Sequence, residues 1–129
     1  MKYLSPEQIL FIHSRLIDTT GGAHGVRDIG LLQSAAARPR ATYGRKDLYR
    51  DVFQKAAALL ESLSNNHPFI DGNKRTAITS SAIFLRQNGY LLDASQYELE
   101  RFTISVATRG VSFKNIVVWL SLHCAGPAG

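Results

Sequence analysis

Residues 67–75 read His67-Pro68-Phe69-Ile70-Asp71-Gly72-Asn73-Lys74-Arg75 and lead directly into a long, largely apolar segment. The stretch places an imidazole, a carboxylate, a carboxamide and two cations around a glycine. A helix begins with unpaired backbone N–H groups and the positive end of its dipole. A glycine-containing turn that enters such a helix therefore favours an anion, and phosphate is the obvious candidate.

The residue types in this stretch suit phosphoryl or nucleotidyl transfer. His67 is the candidate general base, because the ordinary pKa of histidine lies near neutral pH. Asp71 is the candidate Mg²⁺ ligand, since magnesium commonly uses one or two carboxylates together with substrate phosphates. Asn73 and Arg75 can donate hydrogen bonds to phosphate oxygens. Gly72 lets the backbone approach an anion without a Cβ in the way.

A purely structural interpretation of the same stretch is a turn between two helices. Pro68 would end the first helix, Asp71 or Asn73 would cap the second, and Gly72 would supply a positive φ. The two cations that follow would then be solvated. Each residue taken alone fits this interpretation, whereas their combination favours a site.

The stretch resembles the signature of the Fic/Doc family, H-[PX]-F-x-[DE]-[GA]-N-x-R, and fills every specified position. Its last part, N-K-R-T-A from Asn73 to Ala77, looks like the Doc branch of that family. Fic adenylyltransferases have a glycine where this chain has Lys74 and a second arginine where it has Ile78. Residues 25–32 and 84–90 also look Doc-like, so the resemblance covers most of the chain.

The resemblance implies a bacterial toxin that acts as a protein kinase, uses ATP and Mg²⁺, and phosphorylates a threonine of elongation factor Tu to halt translation. It implies His67 as the base, Asp71 as the metal ligand, and Asn73, Lys74 and Arg75 as phosphate ligands. It also implies a small, Phd-like cognate antitoxin whose C-terminal segment folds onto the toxin. The chain has no match to the inhibitory [ST]-x-x-x-E-[GN] helix of many Fic enzymes, so inhibition would have to come from another polypeptide.

The two positions that separate the branches also carry a physical argument. A glycine in place of Lys74 would leave room for a terminal phosphate, whereas the lysine fills that space and adds a charge. Ile78 removes a further clamp on the terminal phosphates. We therefore expect the γ-phosphate, rather than the AMP moiety, to face His67.

Three other functions remain open from the sequence. The same residues could transfer AMP. A formal charge of +5, with Arg38, Arg40, Arg45, Lys46 and Arg50 close together, would suit a non-catalytic basic module that binds nucleic acid or an acidic protein. A metallohydrolase is disfavoured because His67 and Asp71 form an incomplete ligand set. No helix-turn-helix or zinc motif supports nucleic acid as a direct substrate.

Capping residues and apolar spacing predict an all-α bundle of about six helices. The helices are expected to follow Ser5, Asp28, Asp47, Gly72, Ser95 and Ser112. Apolar residues cover more than one face of the helix from Asn73 to Asn88, so this helix is expected to be central. Asn65 and Asn66 are expected to end the preceding helix by adopting left-handed or locally hydrogen-bonded conformations. His13, one position off an apolar stripe, is expected to be a surface or internally bonded histidine.

The 129 residues are expected to form one domain over residues 1–124, with a disordered tail over residues 125–129. One cysteine, Cys124, rules out an internal disulfide and fits a reducing compartment. The sequence has no apolar run long enough to span a membrane and no signal-peptide pattern at its start. These features predict a cytoplasmic protein.

Overall fold

A computed structural model of the chain describes residues 1–126, which form six helices and two short antiparallel strand pairs. The helices are α1 (Pro6–Thr20), α2 (Ile29–Ala37), α3 (Val52–Asn66), α4 (Asn73–Gln87), α5 (Gln96–Ala107) and α6 (Phe113–Leu122). A 3₁₀ turn, Arg38–Arg40, follows α2. The strand pairs are β1 (Thr42–Tyr43) with β2 (Lys46–Asp47), and β3 (Leu91–Leu92) with β4 (Cys124–Ala125). The predicted all-α bundle is confirmed.

Four of the predicted helix starts are set by side-chain caps. The side chains of Ser5, Asp28, Ser95 and Ser112 each accept a hydrogen bond from the backbone N–H three residues later. Ser5 and Ser95 also form complete capping boxes. Because these bonds join residues within one turn, the local sequence was enough to predict them.

Two neighbouring helices, α3 and α4, form the centre of the bundle. The run from Lys55 to Leu60 is buried without interruption, so α3 is enclosed on every side. Its small residues, Ala56 to Ala58, let other helices approach closely. The sequence had predicted α4 as the central helix, but α3 contacts α2, α5 and α6 as well as α4. The motif loop joins these two buried helices.

The predicted start of α3 was wrong. Apolar spacing suggested a helix from Asp47, yet α3 begins at Val52, where the Asp51 carboxylate accepts from the backbone N–H of Gln54 at 2.8 Å. The residues before it form the β1–β2 hairpin instead, and Leu48 is 52% exposed.

A buried lysine explains why this segment does not continue the helix. The ammonium of Lys55 lies 3.0 Å from the Pro39 carbonyl oxygen and 3.2 Å from Asp47 Oδ2. A buried ammonium requires such partners. The 3₁₀ turn and the hairpin therefore fold back across α3 to supply them.

The end of the described chain is tied to the bundle. Ala125, at the start of the expected tail, pairs with Leu91, and Cys124 pairs with Leu92. The rest of the expected tail, residues 127–129, lies outside the described residues. Within residues 1–126, no helix combines the length and apolar character needed to cross a membrane.

Replacing Leu60 by alanine should lower the free energy of unfolding by about 2–5 kcal/mol, because the side chain is completely buried in α3. The matched control, Leu48→Ala, should change it by no more than about 0.5 kcal/mol, because Leu48 is mostly exposed before the helix. Urea denaturation followed by circular dichroism measures both values. Equal losses in the two variants would contradict the observed start of α3.

Candidate active site

The motif loop begins with a histidine in a left-handed conformation. His67 has φ 52° and ψ 60°, directly after the last residue of α3, and its side chain is exposed. The helix ends at Asn66 as expected, but the left-handed residue is His67, so the left-handed alternative for Asn65 and Asn66 was wrong. Arg27 stabilises the turn, since its Nε donates to the His67 carbonyl oxygen at 2.6 Å and its Nη2 to the Asn66 carbonyl oxygen at 2.8 Å.

The backbone that carries Arg27 also holds the next part of the loop. The N–H groups of Arg27 and Asp28 both donate to the Pro68 carbonyl oxygen, at 2.8 and 3.1 Å. The N–H of Ile70 donates to the Gly25 carbonyl oxygen at 3.1 Å. Residues 25–28 therefore act as a short strand along residues 67–70.

Asn73 fixes the loop from its other end. Its Oδ1 accepts from the Phe69 N–H at 3.0 Å, and its Nδ2 donates to the Phe69 carbonyl oxygen at 2.9 Å. Asn73 is only 9% exposed, and Phe69, whose backbone it binds, is buried. The Asn73 carboxamide thus shapes the loop in this structure, whereas the sequence suggested that it contacts phosphate.

The first turn of α4 presents backbone N–H groups that no side chain caps. Gly72 occupies the capping position with φ 76°, and neither Asp71 nor Asn73 caps the helix. The first hydrogen bond within the helix joins the Thr76 N–H to the Gly72 carbonyl oxygen at 2.9 Å. A Cβ on Gly72 would lie 3.0 Å from Ile17 Cδ1, so both the φ angle and the available space favour glycine.

The Asp71 carboxylate lies beside this turn and is about half exposed. Its Oδ2 accepts from the Ala23 N–H at 3.1 Å and its Oδ1 from the Gly72 N–H at 2.8 Å. These two backbone donors, with a smaller effect from the Arg75 guanidinium, hold the pKa of Asp71 below its usual value. The group is therefore ionised at neutral pH.

Two cations lie on the first turn of α4. Lys74 is exposed, whereas Arg75 contacts the end of α1. Nη1 of Arg75 donates to the Thr20 hydroxyl and, at 3.0 Å, to the Gly21 carbonyl oxygen. Nη2 lies 4.0 Å from Asp71 Oδ1.

His13 was not expected at the site, yet it contacts the motif loop. It is 1% exposed, and its Nε2 lies 2.8 Å from the Asp71 carbonyl oxygen. Its ring stacks on Phe69 with centroids 3.8 Å apart. Burial lowers the pKa of His13 below its usual value, so the ring is neutral at pH 7. The sequence predicted a surface or internally bonded histidine, and the second alternative is confirmed.

A model of the Fic/DOC family matches residues 3–85, which is more than half of the chain. The chain belongs to the Fic/Doc family. Over 123 residues it is 42% identical to a protein named Toxin Doc from Mycolicibacterium smegmatis, covering 93% of this chain and 92% of that relative. Over 116 residues it is 33% identical to Protein kinase doc of Escherichia phage P1, covering 90% of each chain. The family predicted from the motif is thereby confirmed.

Of the predicted site residues, Asp71 to Arg75 lie at or beside the first turn of α4, whereas His67 ends α3 four residues before Asp71. Apart from Asn73, the residues that support the loop lie outside the Fic/Doc motif. His13, Arg27 and the segment from Thr20 to Ala23 lie 39 to 58 residues away in sequence from the atoms they bind. No local pattern links such distant positions.

A groove of about 780 Å³ starts at the same turn and runs along α4 towards α5. One wall comes from α4 and the other from α5, with β3 between them. Its lining is mainly apolar and includes Ile78, Ala82, Leu99 and Ile104. Charged lining residues are the cations Lys74, Arg75 and Arg86 and the single carboxylate Glu100.

Replacing Gly22 by alanine should raise the pKa of Asp71 towards its usual value. A Cβ there would lie 2.6 Å from Asp71 Oδ2 and would push the neighbouring Ala23 N–H away from the carboxylate. Because the folded pKa is lowered, ionised Asp71 stabilises the fold above the pKa of unfolded aspartate, and this contribution disappears as the pH falls through the folded pKa. Carboxyl ¹³C chemical shifts followed against pH measure the change.

Gly21→Ala is the matched control. Gly21 also has a positive φ, 89°, but a Cβ there would have no neighbour within 4 Å. Both variants should lose about 1–3 kcal/mol of stability from backbone strain. Only Gly22→Ala should move the pKa of Asp71, and an equal shift in both variants would contradict the direct contact.

Proposed function

We propose that this chain is the toxin of a bacterial toxin–antitoxin pair and a protein kinase. It transfers the γ-phosphate of ATP to a hydroxyl group of elongation factor Tu, which arrests translation in the cytoplasm. His67 acts as the base that accepts the proton of the target hydroxyl. The names of the two relatives, one a toxin and one a protein kinase, support this assignment.

The observation that carries the proposal is the uncapped first turn of α4 beside an exposed histidine. The N–H groups of Asn73, Lys74 and Arg75 precede the first intrahelical bond, and the side chains of Lys74 and Arg75 add two positive charges. Such a turn stabilises phosphate oxygens and the charge that develops on them during transfer. His67, only a few residues before that turn, is exposed and therefore accessible to a protein substrate.

The Asp71 carboxylate fits a magnesium ion that is bound jointly with substrate phosphates. It is ionised, partly exposed and next to the helix N-terminus. The residues 1–126 contain no cluster of three or more histidine, cysteine, aspartate or glutamate side chains that would make a complete metal site. One carboxylate plus phosphates is a common way for proteins to use magnesium. Magnesium, when bound, would neutralise phosphate charge.

Two positions favour phosphate transfer over AMP transfer. Lys74 and Ile78, where Fic adenylyltransferases have a glycine and an arginine, are one turn apart on α4 and line the same groove. An exposed lysine therefore stands where a terminal phosphate would otherwise fit, and an apolar side chain stands where a second guanidinium would hold it. Both differences favour the orientation in which the γ-phosphate faces His67.

The basic binding module is the less favoured alternative. Arg38 belongs to the cluster that suggested it, but its guanidinium lies 2.9 Å from Glu61 Oε1 and donates to Tyr49, Ala58 and Ser62. This arginine stabilises the packing of the 3₁₀ turn on α3. Arg40 lies over the ring of Tyr3. Arg38 is therefore not a free cation on a docking surface, whereas Arg40 stays exposed.

Incubating purified elongation factor Tu with the protein, ATP and Mg²⁺ should add the mass of one phosphate, measured by intact-mass spectrometry. His67→Ala should abolish the gain without changing the fold, because His67 is exposed and only its backbone is used structurally. His24→Ala, which removes another exposed histidine, is the control and should retain activity. A gain of one AMP would instead support the adenylyltransferase, and no gain would contradict this target.

We further propose that the groove between α4 and α5 binds the antitoxin as an amphipathic helix with acidic residues. The groove is apolar along its length, as a helix-in-groove complex requires. Its charged lining comprises three cations and one carboxylate, which favours an acidic partner. Because Lys74 and Arg75 form one end of the groove, a bound helix would cover the phosphate-binding turn. Inhibition would follow from this overlap.

Ile104→Glu should weaken antitoxin binding at least about tenfold, because it buries an unpaired carboxylate under the bound helix. Leu122→Glu, on the exposed surface of α6 outside the groove, is the control and should bind normally. Isothermal titration calorimetry with the C-terminal segment of the antitoxin measures the affinity. Unchanged affinity of Ile104→Glu would rule out this groove.

A further inference from the structure

The contact between His13 and the motif loop has a well-defined geometry. A carbonyl oxygen only accepts hydrogen bonds, so the Nε2 atom that lies 2.8 Å from the Asp71 carbonyl carries the hydrogen. The ring is held by a parallel stack on Phe69, with centroids 3.8 Å apart and planes 4° apart. Both rings are buried. The direction of this donor is therefore fixed by packing within the core.

One bond to this carbonyl orients a whole peptide unit. No peptide bond among the described residues is cis, so the C=O of Asp71 and the N–H of Gly72 point in opposite directions. With the C=O held against α1, the Gly72 N–H faces away from α1 and donates to Asp71 Oδ1 at 2.8 Å. This bond therefore couples the orientation of the Asp71–Gly72 peptide to that of the Asp71 carboxylate.

We propose that His13 is a positioning residue, which acts through the Asp71–Gly72 peptide to hold the Asp71 carboxylate in the orientation that binds the divalent cation of the nucleotide. This inference rests on the proposed function, because it takes Asp71 as the metal ligand. His13 itself touches neither cation nor nucleotide. Hydrogen bonds that orient a ligating group commonly change metal affinity by about tenfold or more when they are removed.

The alternative is that His13 only fills space in the core. Its burial and its stack on Phe69 would then be the whole of its contribution. The two roles differ in what they require of a replacement. A space-filling role needs volume alone, whereas a positioning role needs a donor at the place of Nε2.

Glutamine and methionine form a matched pair for this test, because their side chains have nearly the same shape and both lack the ring. Only glutamine can donate a hydrogen bond to the Asp71 carbonyl. His13→Gln and His13→Met should both lose the stabilisation that comes from the stack on Phe69. A difference in cation affinity between His13→Gln and His13→Met therefore measures the effect of the hydrogen-bond donor.

The experiment measures Mn²⁺ binding in the presence of ADP by electron paramagnetic resonance of the free ion. His13→Met should bind Mn²⁺ roughly tenfold more weakly than the wild type, and His13→Gln should recover most of the affinity. In an Asp71→Asn background, His13→Met should cause no further loss. Without any ligand, the Gly72 amide resonance should shift further from its wild-type position in His13→Met than in His13→Gln, because both variants lose the ring and only His13→Met also loses the donor.

Equal Mn²⁺ affinities in His13→Met and His13→Gln, or an undiminished effect of His13→Met in the Asp71→Asn background, would overturn the positioning role and leave the proposed kinase intact. Failure of the wild-type protein to bind Mn²⁺ with ADP would overturn the proposed function and this inference together. Should His13→Met not fold, the Mn²⁺ affinity of His13→Gln still decides the matter, because a roughly tenfold loss in that variant would contradict a donor-based role.

Discussion

The site depends on a backbone constraint: six residues must lead from the end of one buried helix to the start of another. Left-handed conformations at His67 and Gly72 make the two turns, and only the second is at a glycine. The strained histidine is held by Arg27, whose guanidinium binds the carbonyl oxygens of Asn66 and His67. Because α3 and α4 are fixed by the core, the loop has little freedom, and the side chains that it carries start from defined positions.

The support of the loop comes from three directions. Residues 25–28 pair with its first half, the Asn73 carboxamide closes it from below, and His13 holds the Asp71 carbonyl from α1. Asn73 and His13 support the loop from the buried side, whereas Arg27 and Asp28 support it at the surface. Lys74 and part of the Asp71 carboxylate are also exposed. Fixed support of this kind would pre-organise the loop for the phosphate binding that we propose.

Hydrogen bonds between residues close in sequence could be predicted, and those between residues far apart in sequence could not. The caps at Ser5 and Ser95 join residues three apart, so their patterns were sufficient. The α3 start was missed because apolar spacing continued to Leu48, and spacing does not report the bond from Lys55 to the distant Pro39 carbonyl oxygen. His13 was placed on its helix correctly, but its partner is 58 residues away, and no periodicity reports such a bond. The family motif supplied the site residues and, of their supports, only Asn73.

The distribution of these supports limits what the motif alone can tell about a sequence. All three lie outside residues 67–72, and two of them come from the first 28 residues of the chain. A truncated gene product that began after α2 would keep the complete signature and would lose His13, Arg27 and the strand beside the loop. Such a product would still score as a family member while lacking a formed site. The signature alone therefore does not report whether the N-terminal residues that support its loop are present.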